Sequence, residues 1–297
     1  MSVRSFAAVF LALASLLLAA CQPTVSVSRA TGRIATPAPD RTVEPLIRGV
    51  APGWRPSAVE GAKIFQRAQC VVCHGPEGLG NGPAAANLKS SGRNIMTEFF
   101  RLIGIRIQGE QLPSRPANFH NTVAMRLNSP YSMYETVSRG RPHTAMPAFP
   151  PKGGKPGFGA NTFGVNLTDE ERWNVIFHEW TFATSPEEVA RGKTIYETRA
   201  VDVNGSALTC AACHGTAGDG QGPQGPELAR ELWGWARGQG PGIFTDINLM
   251  AQRKPTELYE RIRDGRGKMP AYRGKLTDDE VWALVNYIYT FVYDYGR

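Results

Sequence analysis

Two Cys-x-x-Cys-His-Gly segments, Cys70 to Gly75 and Cys210 to Gly215, stand at matching places in a chain whose second half repeats its first. The repeat opens at Ser57-Ala58-Val59-Glu60-Gly61 and again at Ser185-Pro186-Glu187-Glu188. In each, Ser precedes Glu by three residues, the pattern of a capping box that starts a helix. Gly61 and Gly192 then fall inside those helices, where glycine costs ~1 kcal/mol and signals the close approach of another element. Further on, Phe119 to Gly140 aligns without a gap to Phe244 to Gly265, and both copies reach a Met-Pro, Met146-Pro147 and Met269-Pro270. Both end in a capped helix, from Thr168-Asp169-Glu170-Glu171 and Thr277-Asp278-Asp279-Glu280. Trp173, Ile176, Phe177 and Trp180, and likewise Trp282, Val285, Tyr289 and Val292, recur at three- and four-residue steps and predict one apolar face on each terminal helix. With 297 residues there is room for two cores, and no segment gives a strand period, so two all-α units with long irregular loops are expected.

The first twenty residues carry one basic residue, Arg4, an apolar run from Phe6 to Leu18, and small residues at Ala19 and Ala20. This pattern is a secretory signal, too short to span a bilayer. Leu18-Ala19-Ala20-Cys21 resembles the bacterial lipobox, which implies cleavage before Cys21 and acylation of its thiol. Residues 22–56 are rich in Pro, Thr, Ser and Ala without apolar periodicity, as a flexible tether would be. The expected organisation is signal 1–20, anchored tether 21–56, first domain 57–184 and second domain 185–297. Segments 89–115 and 150–166 are insertions in the first copy. With Cys21 set aside, the remaining cysteines are the two Cys-x-x-Cys pairs and nothing else.

At this point the sequence resembles the class I cytochrome c family, through Cys70-Val71-Val72-Cys73-His74 and Cys210-Ala211-Ala212-Cys213-His214. Two cysteines three apart can reach both vinyl groups of one porphyrin as thioethers, while the adjacent histidine binds iron. The resemblance implies two tandem all-α domains, each wrapped around one covalent haem c, two per chain. Their irons are held by His74 with Met146 and by His214 with Met269. A single four-thiolate zinc site or two disulfides would use the same cysteines, but neither accounts for the paired histidines and Met-Pro segments. His143, three residues before Met146, is a rival ligand without a counterpart in the second copy. Met125 and Met250 align and read as core filler, and Met96 and Met133 as packing residues. His120 and His178 receive no role.

Six-coordinate His/Met iron passes electrons without binding substrate. The expectation is therefore a carrier of single electrons between redox proteins at the outer face of a membrane. It would serve as a tethered carrier or as the cytochrome subunit of a quinol-oxidising or oxidase complex. A dihaem enzyme of peroxidase or thiosulfate-oxidising type is the alternative, and it needs an open iron or a cysteine ligand that this chain lacks. Residues 21–185 carry 18 Lys+Arg against 11 Asp+Glu, and residues 186–297 carry 14 against 15. That balance suits an acidic protein surface better than nucleic acid. Arg253, Lys254, Arg261, Arg263, Arg266 and Lys268 crowd before Met269 and form the candidate docking surface. The alternative surface is the insertion around Arg93, Phe99, Phe100, Arg101 and Arg106.

Overall fold

The computed structural model describes residues 53–88, 115–142, 144–151, 163–203, 205–225 and 241–296. Outside the described residues lie the signal and most of the tether with Cys21, nearly all of the insertion 89–115, including Arg93, Met96, Phe99, Phe100, Arg101 and Arg106, most of 150–166, and His143. Residues 45–297 form one compact unit that contains both copies. No described helix is long and apolar enough to cross a membrane.

The first copy comprises α1 (Ala58–Arg67), α2 (Cys70–His74), a 3-10 turn (Ala85–Asn87), α3 (Thr122–Arg126), α4 (Pro130–Arg139) and α5 (Asp169–Thr181). The second repeats them as α6 (Pro186–Thr198), α7 (Cys210–His214), α8 (Ile247–Gln252), α9 (Pro255–Asp264) and α10 (Asp278–Tyr289). Reciprocal capping boxes start α5, α6 and α10, from Thr168, Ser185 and Thr277. At α1 the box is only half made. Ser57 Oγ accepts from the Glu60 amide at 3.3 Å, but the Glu60 carboxylate turns to Lys63, and Asn174 of α5 accepts from the Ser57 amide at 2.8 Å. A tertiary contact thus replaces the local one.

The two interior glycines are explained by helix crossings. A Cβ on Gly61 would lie 2.0 Å from the Asn174 carbonyl oxygen, and one on Gly192 would lie 2.0 Å from that of Ala283. Therefore α1 crosses α5, and α6 crosses α10, at backbone contact.

The all-α expectation holds with one small addition, and two further expectations need correction. The fold is helical except for an antiparallel hairpin, β1 (Val201–Val203) with β2 (Ser206–Leu208), in which Val201 pairs with Leu208. Strands of three residues are too short to show a period, but Asn204-Gly205 is a hairpin signal in its own right. First, the two expected cores are one continuous cluster. Phe177 stacks on Tyr293 at 4.6 Å, Trp180 meets Tyr289 at 5.3 Å, and the Arg126 guanidinium lies 3.8 Å from the Trp282 ring centre. The chain end crosses to the start of α1, with the Ala58 amide donating to Asp294 O at 3.0 Å and the Asp294 amide to Pro56 O at 2.8 Å. The Tyr295 hydroxyl donates to the Thr184 carbonyl. Second, α10 buries more than one face. Val281, Ala283, Leu284, Val285, Tyr287, Ile288 and Tyr289 are all buried, because the helix packs on α6 and also against the first copy, while Trp282 is half-exposed.

Candidate functional site

The proposed iron-binding histidines end the short helices α2 and α7, and the same pair of contacts orients each one. His74 Nδ1 lies 3.2 Å from the Ala117 carbonyl oxygen, and His214 Nδ1 lies 3.1 Å from that of Gly242. A carbonyl can only accept, so Nδ1 carries the proton and Nε2 presents its lone pair, the state a metal-binding imidazole needs. A phenyl ring fixes the plane. Phe119 stacks on His74 at 4.8 Å and 19°, and Phe244 on His214 at 4.7 Å and 20°. Phe182 and Phe291 back those rings at 6.1 Å. Desolvation lowers the pKa of both histidines against the opposing effect of the carbonyl bond, which keeps the rings neutral.

Cys70, Cys73, Cys210 and Cys213 are free thiols here, and their sulfurs stand in for thioether sulfurs. Burial raises all four; Cys210, for example, is pushed up to about 11. Among the described residues no three His, Cys, Asp or Glu side chains gather as a metal site, so the four-thiolate zinc reading has no geometric support.

Met146 and Met269 occupy equivalent loops. The Arg141 amide donates to Met146 O at 3.2 Å, and the Arg266 amide to Met269 O at 3.1 Å. Three residues after each methionine the chain returns to its preceding helix, Phe149 N to Val137 O at 2.9 Å and Tyr272 N to Ile262 O at 3.1 Å. Gly140 and Gly265, both at positive φ, let the loops fold this tightly, since a Cβ there would meet the Met146 and Met269 carbonyls at 2.9 and 2.6 Å. The insertion after Phe149 is closed at its base by Leu167 N to Pro150 O at 3.3 Å, so it leaves the Met146 loop intact. Met125 and Met250 are buried on α3 and α8, as core filler would be. His120 is exposed and meets the Glu77 carbonyl, while His178 packs against Phe65 and Phe182.

In the first copy these groups line one open cavity. Cys70, Cys73, His74 and Met146 share it with Phe119, Met125, Met133, Val137 and Phe149. A mostly apolar wall with two sulfurs and an imidazole on one helical turn and a thioether facing the same space has the donor set of a covalently held haem. Arg115, Arg141 and Glu179 also line it. Sequence reasoning missed Glu179, and it missed the orienting carbonyls of Ala117 and Gly242. The aligned Pro116 and Pro241 just before those carbonyls were the available signal.

The basic stretch before Met269 is only partly available for docking. Arg263 is bound twice to Asp264, at 3.0 and 2.8 Å, and Arg253 lies 3.8 Å from Glu257, which at ion-pair distance takes Arg253 rather than Arg261. Arg266 and Lys268 are exposed in the ligand loop itself, Lys268 with a partner of its own.

Two family models match the chain: Cytochrome c over residues 58–178, and Cytochrome C oxidase, cbb3-type, subunit III over residues 187–288. Cytochrome c-551 of Halorhodospira halochloris is 34% identical over 99 residues, which is 33% of this chain and 92% of that protein. Among solved structures, the Kuenenia stuttgartiensis reducing HAO-like protein complex is similar at 23% identity. It covers 80% of this chain and 99% of its own at a TM-score of 0.29, too low to bear on the fold.

Proposed function

Because this chain belongs to the c-type cytochrome family, with a class I domain in each half, we propose that it carries single electrons between redox proteins at the outer face of a membrane, with two covalent haems per chain. Electron transfer is the chemistry of such domains. When bound, haem c supplies an iron that changes by one electron between ferric and ferrous. The observation that carries the reading is the duplicated ligand geometry: a carbonyl-locked, phenyl-stacked histidine and a backbone-clamped methionine in each half. Cys70, Cys73, Cys210 and Cys213 anchor the two groups, His74 and His214 bind from one side, and Met146 and Met269 close the sixth position. The methionines raise the potential and leave no site for substrate, which separates a carrier from a peroxidase-type enzyme. Cys21 holds the protein on the membrane through its acyl chains, and residues 22–56 give the body reach. The second half matches a family named for an oxidase subunit, which supports association with an oxidase complex.

Two measurements test this together on the full chain. Dithionite-reduced protein keeps its spectrum under carbon monoxide, and haem-stained protein sediments with membranes, whereas Cys21→Ser moves it to the soluble extracytoplasmic fraction. Rapid carbon monoxide binding at either haem would overturn the carrier reading in favour of the enzyme, and a Cys21→Ser protein still in membranes would overturn the anchor.

For docking, Arg266 and Lys268 steer an acidic redox protein to the edge of the second haem. Ferricyanide serves as a small anionic probe in stopped-flow oxidation of the ferrous protein. The Arg266→Glu/Lys268→Glu double variant reacts several-fold more slowly at low ionic strength and converges with wild type as salt is added. Equal rates at every salt concentration would remove this loop from the docking surface.

A further inference from the structure

The domain 1 cavity is lined by a carboxyl group whose aligned position in domain 2 is an isoleucine. Glu179 of α5 is 5% exposed and lines the same cavity as Cys70, His74 and Met146. Among the described residues no hydrogen bond reaches its carboxylate, and the interaction found for it is electrostatic, with the Cys70 sulfur. Thr168, Trp173 and Phe182 of the first copy correspond to Thr277, Trp282 and Phe291 of the second, so Glu179 corresponds to Ile288, which is 4% exposed. The same site on two equivalent helices thus bears an acid in one domain and a hydrocarbon in the other. Burying a carboxyl costs stability that burying a hydrocarbon does not, and in the second domain the isoleucine at this place is buried.

Taking the haem-bound reading above as its premise, we infer that Glu179 sets the order of the two sites: once ionised, its carboxylate holds haem 1 at a lower potential than haem 2, so that electrons then enter through domain 1 and leave through domain 2. An ionised carboxylate stabilises the oxidised, more positive iron centre. At roughly 10 Å and an effective dielectric of ~20 a unit charge is worth about a tenfold change in the reduction equilibrium. Burial pushes the Glu179 carboxyl up to about 8, so it can gain or lose a proton near neutrality. As domain 1 takes one electron from a one-electron donor protein, the Glu179 carboxylate takes one proton from solvent, and it releases that proton when the electron passes on.

The other titratable or charged groups lining the cavity are Cys70, Cys73, His74, Arg115 and Arg141. In the haem-bound protein the cysteines are thioethers and His74 is on iron. On the helices packed against α5, Arg67 of α1 pairs with Glu171, and Glu135 of α4 pairs with Arg139. The sign follows: the haem 1 potential falls as pH rises through the Glu179 range, and the haem 2 potential stays flat.

The test is spectroelectrochemical titration of the full-length holoprotein across pH, for wild type and for Glu179→Gln, Glu179→Ile and Glu179→Asp. Haem content is read first from absorbance; a chain lacking haem refutes the premise before any potential is measured. The haem 2 wave is identified as the one that moves in Met269→Ala. At pH above the Glu179 range, Glu179→Gln and Glu179→Ile are expected to raise the lower wave by about tenfold in equilibrium, about 59 mV for one electron, and across pH they flatten its slope. Glu179→Asp restores the slope. A lower wave that keeps its position and pH slope in both the Gln and Ile variants overturns the inference, as does an equal shift of both waves.

Discussion

A chain in which Cys210 and Cys213 are both replaced by alanine retains half of its haem after acidified organic extraction, and its second domain loses cooperative unfolding. Thioether bonds are what survive that extraction, so the retained fraction counts intact attachment sites. The structural consequence follows from where the cysteines sit. Cys210 is half-buried near the Tyr272 hydroxyl and packs against the core to which Tyr196, Met250, Leu258, Ile262 and Leu284 belong. A domain of ~110 residues built around a porphyrin keeps too little apolar contact without it to exceed the ~5–15 kcal/mol by which folded proteins are ordinarily stable. Because Phe177 and Trp180 rest on Tyr293 and Tyr289, loosening of the second domain also strips cover from the first. Circular dichroism during thermal melting should therefore show the retained domain melting several degrees lower than in wild type. Full haem retention by this double variant would refute covalent attachment at Cys210 and Cys213.

What could be read from sequence was whatever is encoded within a few residues. The Cys-x-x-Cys-His turns, the capping boxes at Thr168, Ser185 and Thr277, and the glycines at helix crossings are short-range patterns, and the repeat let each be checked against its copy. What escaped depends on partners far apart in the chain. Phe177 and Tyr293 are separated by more than a hundred residues, and an apolar face does not say which other face will cover it. The half-made capping box at Ser57 escaped for the same reason, since Asn174 lies on another helix. Glu179 was hidden by its surroundings: it lies between Ile176 and Trp180, on a face that reads as core, where a single acid looks like interruption. The register of α5 on α10 would have exposed it as the one-sided exchange of Glu179 for Ile288.

Met269→Ala is expected to remove half of the weak near-infrared band of methionine-bound ferric haem and to lower the potential of haem 2. The shift should be roughly 0.1 V or more, a modest part of the ~0.8 V that axial ligands span. The loop itself should stay in place, because its backbone holds it: Arg266 N to Met269 O at 3.1 Å, Met269 N to Arg266 O at 3.0 Å, and Tyr272 N to Ile262 O at 3.1 Å. Removing the thioether therefore empties the sixth position without unravelling the site, and the variant should bind carbon monoxide at one haem where wild type binds none. Met250→Ala is the control. Met250 is 1% exposed within the core, so its truncation should cost about 2–5 kcal/mol of stability while leaving the band and both potentials unchanged. Met146→Ala should remove the other half of the band, since its loop repeats the same bonds from Arg141 and Phe149. Loss of the band in Met250→Ala together with its survival in Met269→Ala would transfer the ligand role from the Met-Pro loop to α8.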